Sequence, residues 1–159
     1  MLSLETIVVP TDFSDYSLRA LAYAIGLAEM YEASVKLVYV NEPALHVSDV
    51  TWMGLDAGAR ENTRLKKAQE NLDNIVSEQF PPGLPSEAVV LSGDAVDEII
   101  RYADEVQADL IVMATHGRTG ISHILMGSTA EHVVRRAPCP VLTLKQPMQV
   151  MSRLDSNLP

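Results

Sequence analysis

Leu110-Ile111-Val112-Met113-Ala114-Thr115-His116-Gly117-Arg118-Thr119-Gly120-Ile121-Ser122-His123-Ile124-Leu125-Met126-Gly127-Ser128-Thr129 is the stretch on which the fold turns. Its first five residues are a continuous apolar run of strand length, the pattern of a strand covered on both faces, and such strands belong to parallel sheets. Gly117, Gly120 and Gly127 then punctuate the chain before a helical segment from Ser128 to about Arg136. Glycine lets the backbone bend sharply and approach a ligand closely, and the first N–H groups of the following helix are unpaired and partly positive. A strand, a glycine-rich turn and a helix start together make an anion site. Ser128 to Glu131 also has the S-x-x-E form of a capping box, in which Ser128 would do no more than cap the helix.

Upstream, Thr6-Ile7-Val8-Val9-Pro10 is a β-branched run stopped by proline, and Thr11-Asp12 leads from it into a helix over Ser14 to Tyr31. Leu18, Leu21, Ala22, Ile25 and Ala28 recur there at three- and four-residue spacing, with Ser14 as N-cap. Ser34 to Val40 reads as a second strand. Asn41 to Gly58, with the only tryptophan, Trp52, reads as a long loop that could close over a site. Helical spacing resumes at Leu65, Ala68, Leu72, Ile75 and Val76 and ends at Pro81-Pro82-Gly83. A third strand covers Glu87 to Ser92, and Asp94 caps a helix to about Val106 that turns Val96, Ile99, Ile100 and Ala103 inward. After Pro138 and Pro140, Val141 to Lys145 forms a last strand, and 146–159 reads as a flexible tail.

Strict alternation of strands and helices with short connections predicts a single α/β domain over residues 1–145, an open five-stranded parallel sheet with helices on both faces. The expected strand order is 3-2-1-4-5, with right-handed crossovers. In such sheets a ligand lies beyond the carboxyl ends of the strands where the winding reverses, here between the first and fourth strands. That brings Pro10-Thr11-Asp12 beside Ala114 to Gly117.

The chain has 159 residues and a net charge of −9, which excludes a protein that coats nucleic acid by neutralising phosphates. The charge is uneven: residues 1–109 carry seven basic and nineteen acidic side chains, whereas 110–145 carry Arg118, Arg135, Arg136 and Lys145 against Glu131. An anion would be drawn to the second segment. One cysteine, Cys139, allows neither an internal disulfide nor a cysteine-based zinc site, and its place between two prolines suggests a packed thiol. Neither an export signal nor a run long enough to span a bilayer is read in the sequence, so a cytoplasmic protein without membrane contact is expected.

Gly117, the nine residues Arg118 to Met126, and Gly127-Ser128 resemble the signature of the ATP-binding branch of the universal stress protein family. Ile7-Val8-Val9-Pro10-Thr11-Asp12-Phe13-Ser14 and Ala137-Pro138-Cys139-Pro140-Val141-Leu142 are similar to the family as well, so the resemblance spans about residues 1–145. It implies a Rossmann-like domain of the adenine nucleotide alpha-hydrolase type and a homodimer that pairs Val141 to Lys145 across a two-fold axis. It further implies that Asp12, beside Pro10 and Thr11, accepts hydrogen bonds from ribose hydroxyls, which suits an ionised carboxylate. Val40 would offer backbone groups to adenine, and Met113 would pack near the base. Gly117, Gly127, Ser128 and Thr129 would hold phosphates, with His116 or Arg118 adding a charge-assisted bond. Any Mg²⁺ would come with the phosphates. At Ala114 the chain departs from the pattern's first glycine. The added methyl matters where a nucleotide passes close or where φ must be positive, so weakened binding is expected.

There is no P-loop, no dinucleotide turn and no nucleophile elbow, and no general base or nucleophile stands beside the phosphate segment. The expectation is therefore an ATP- or AMP-dependent stress-response switch without fast catalysis. Two alternatives remain at this level: a slow ATPase or nucleotidyl-transfer enzyme in the same pocket, and an interaction dimer that binds no nucleotide.

Overall fold

A computed structural model describes residues 3–42, 57–116 and 126–145. Its elements run β1 (Thr6–Pro10), α1 (Asp15–Tyr31), β2 (Ser34–Asn41), α2 (Ala57–Gln79), β3 (Ser86–Ser92), α3 (Ala95–Glu105), β4 (Leu110–Ala114), α4 (Ser128–Arg136) and β5 (Val141–Leu144). All five strands pair in parallel, in the order β3-β2-β1-β4-β5. Fold class, strand order and the winding reversal between β1 and β4 are as the alternation predicts.

Strand alternation divides the core into two layers, because successive side chains point to opposite faces of a sheet. Ile7, Val9, Val35, Leu37 and Val112 meet α1 and α2 on one face, and Val8, Val38, Ile111 and Met113 meet α3 and α4 on the other. The central strands are apolar on both faces for this reason. Ser14 caps α1 by accepting from the Ser17 N–H, and Asp94 caps α3 by accepting from the Asp97 N–H at 3.0 Å.

Three details differ from expectation, the first being that Ala22 of α1 is exposed and not on the buried face. Helix α2 begins at Ala57, two turns before the apolar spacing resumes at Leu65. Its first turns are polar and largely exposed, so periodicity gives no sign of them; they are tied instead by Asn41, whose side-chain amide donates to Glu61. On α3 the fully buried face is Ile99, Tyr102 and Ala103, with Val96 and Ile100 only half-buried. The proposed loop over Asn41 to Gly58, with Trp52, falls mostly outside the described residues, as does the 146–159 tail.

Candidate nucleotide cleft

The turn after β1 is held by its own side chains. Thr11 donates its N–H to the Val38 carbonyl at 2.8 Å, and its buried hydroxyl is 2.9 Å from that of Ser17. The Thr11 hydroxyl oxygen also accepts from the Phe13 N–H at 3.1 Å. Asp12 Oδ1 accepts from both the N–H and the hydroxyl of Ser14, at 3.0 and 2.5 Å. Between them Phe13 has φ 65, a left-handed conformation uncommon for a bulky residue, and its ring stacks on Tyr39 at 4.6 Å between centroids. Local hydrogen bonds and this stacking hold a strained turn that presents Asp12 at the carboxyl end of the sheet. Asp12 therefore does serve the turn, alongside whatever it does for a ligand.

The start of α4 is held by Thr115, which is 1% exposed. Its N–H donates to the Leu144 carbonyl at 2.9 Å, and its hydroxyl lies 3.3 Å from that carbonyl and 2.9 Å from His116 Nδ1. Its own carbonyl accepts from the Gly127 N–H at 2.6 Å. One buried threonine thus joins β4 to β5 and to the first turn of α4. A Cβ on Gly127 would stand 3.0 Å from the Thr115 carbonyl oxygen, while φ there is an ordinary −70. Close backbone approach, not left-handed φ, is what favours glycine here.

Two readings of the sequence are sharpened at this helix. The N-cap is Gly127, not Ser128, and among the described residues no side chain caps α4, so the capping box is not formed. Ser128 is already the first helical residue because the Gly127 carbonyl accepts from the Glu131 N–H at 3.0 Å. The Gly127 N–H, spent on Thr115, is likewise not available to a phosphate. Of the basic residues in this segment, Arg135 pairs with Glu131 at 2.9 Å and Arg136 pairs with Asp97 at 2.7 Å, at the far end of α4, while Arg118 lies outside the described residues. The attraction for an anion in the described structure comes from the helix start itself.

Pro10, Thr11, Asp12, Val40, Met113, Ala114, His116, Gly127, Ser128 and Thr129 all line one cleft of about 420 Å³, a volume within the range of small-molecule sites. Gly117 and Arg118 lie outside the described residues. Ala114 takes no positive φ, and its methyl joins the core layer shared with α1. The cleft also takes in Ser17, Glu42, Ala95 and Ile99, which sequence reading did not select. Only for Glu42 was there a signal, a charge just past the end of an apolar strand. Cys139 packs among apolar residues, and burial with the nearby Asp109 carboxylate raises its thiol pKa, so the thiolate is disfavoured. Among the described residues no group of three His, Cys, Asp or Glu could hold a metal ion, and no helix is long and apolar enough to cross a membrane.

Comparison with known proteins agrees with this architecture. The model of the universal stress protein family matches residues 3–145. Universal stress protein MJ0531 of Methanocaldococcus jannaschii is 37% identical over 146 residues, covering 90% of this chain and 83% of its own. Among solved structures, MJ0577 of the same organism superposes with a TM-score of 0.79 at 25% identity, covering 92% of this chain and 99% of its own. A universal stress protein crystallised in complex with cAMP superposes with a TM-score of 0.61 at 29% identity, covering 90% and 98%. With the fold, the sequence pattern and these relatives in agreement, the chain belongs to the universal stress protein family.

Proposed function

We propose that this protein binds an adenine nucleotide, ATP or AMP, in the cleft between β1 and β4, and acts in the stress response as a nucleotide-dependent switch without fast catalysis. The observation that carries this reading is that the glycine-capped start of α4 opens into the same cleft as Asp12. The lining divides as a nucleotide does. Val38, Val40, Met113 and Ile99 offer apolar surface to a base, Asp12 offers acceptors to ribose hydroxyls, and α4 with Ser128 and Thr129 offers donors to phosphates. Gly117 and Arg118 would complete the phosphate end, and Mg²⁺ would arrive with the phosphates. The cAMP complex of a 29% identical relative supports an adenine nucleotide as the ligand class. Both described carboxylates of the cleft, Asp12 and Glu42, are tied to N–H groups at helix starts, which suits positioning more than turnover.

The same reading makes the protein a cytoplasmic homodimer through Val141 to Lys145. In support, β5 is an edge strand of the sheet, and its Leu142 is 37% exposed. Light scattering at micromolar concentration is expected to give a dimer, and a monomer alone would remove this element. For the nucleotide, the purified protein is denatured and any released ligand is identified by chromatography, followed by calorimetry with ATP. An adenine nucleotide or a saturable ATP isotherm is expected. No released nucleotide and no heat at millimolar ATP would favour a dimer that works by interaction alone.

A further inference from the structure

Glu42 stands one residue beyond β2 and lines the cleft. Its Oε1 accepts from the N–H of Ala95, the first residue of α3, at 3.2 Å, which pins the side chain across the gap between the sheet and that helix. The strand end that carries it is fixed on two sides. The buried Asn41 donates from its side chain to Glu61 of α2, and its carbonyl accepts from the Gly93 N–H at 3.2 Å. Val38 and Met113 of the sheet and Ile99 of α3 belong to one apolar layer and line the same cleft. Among the described residues, the apolar part of the cleft therefore has the Glu42 carboxylate held beside it.

Resting on the nucleotide reading above, we infer that Glu42 selects the base, accepting a hydrogen bond from the exocyclic amino group of adenine while its other oxygen holds α3. An ionised carboxylate can only accept. Adenine presents an amino donor on its six-position edge. Hypoxanthine, the same ring system, presents a carbonyl there, whose lone pairs would face the carboxylate and leave both groups unpaired. Glu42 thus adds discrimination at the six-position edge to the backbone contacts that the resemblance assigns to Val40.

Calorimetric titration of the full chain with ATP and with ITP tests this, comparing wild type with Glu42→Gln. The amide has the same length, can still accept from Ala95, and can turn its NH₂ toward a carbonyl edge. Wild type is expected to prefer ATP, and the ATP/ITP affinity ratio is expected to fall about tenfold in Glu42→Gln, mostly through better ITP binding. Glu42→Asp, too short to hold Ala95 and reach the base together, lowers the ratio in the same direction. Asp12→Asn weakens both nucleotides alike and leaves the ratio unchanged, because the ribose is common to them. If both nucleotides bind and the ratio survives in Glu42→Gln and Glu42→Asp, Glu42 does not select the base, and the nucleotide reading still stands. If wild type binds neither nucleotide, both fall together.

Discussion

Helices α3 and α4 pack on the same face of the sheet and begin beside the same cleft, yet their first turns are finished differently. The start of α3 is closed by its own chain: Asp94 accepts from Asp97, Glu42 accepts from Ala95, and Asp97 and Glu98 place negative charge in the first turn. The start of α4 has a glycine cap and, among the described residues, no side-chain acceptor. A side-chain cap stabilises a helix by about 1 kcal/mol, so an uncapped start forgoes that stability. What it offers, on the proposed reading, is the N–H donors of its first turn toward a cavity where a phosphate would be held. On the proposed reading, two helices of one layer serve different ends, one as a wall and one as a receptor.

The comparison breaks most severely if α4 is finished as α3 is. Gly127→Asp places a carboxylate over the donors meant for phosphate and a Cβ 3.0 Å from the Thr115 carbonyl. ATP affinity measured by calorimetry should fall about a hundredfold, the loss of two or more charge-assisted hydrogen bonds. The opposite change, Asp94→Ala, opens α3. It should cost about 1 kcal/mol, lowering the melting temperature by roughly 2–4 °C, with ATP affinity unaltered. A matching loss of affinity would mean that α3 too receives the ligand's charge. The smallest effect is expected at Ala114→Gly: without positive φ to relieve, and with the methyl on the core side, affinity should stay within about threefold of wild type. A tenfold tightening would show that the methyl crowds the nucleotide.

The sheet was legible because its evidence is local. Thr6–Pro10 and Leu110–Ala114 are apolar runs of strand length, and Ser14 and Asp94 are capping residues set just before periodic segments. Ten of the twelve residues chosen from the sequence line one cleft, because topology alone brings the ends of β1 and β4 together. The remainder depends on partners distant in sequence. Ser128 looks like a cap until the Thr115 carbonyl is seen to draw Gly127 into that place. Arg135 and Arg136 count toward a local excess of positive charge until Glu131 and Asp97 are seen beside them. Glu42 acquires a role only when Ala95, more than fifty residues later, comes within 3.2 Å. The polar first turns of α2 carry no periodic signal at all.

The most direct test of the central claim is an amide NMR titration of the full chain, with adenosine and then with ATP, so that the difference isolates the phosphates. The amides of Ser128, Thr129 and Ala130 should shift between the two complexes, while those of Ala95, Val96 and Asp97 should hold their positions. Phosphate-dependent shifts at the start of α3, or none at the start of α4, would contradict the assignment of α4 as the phosphate receptor.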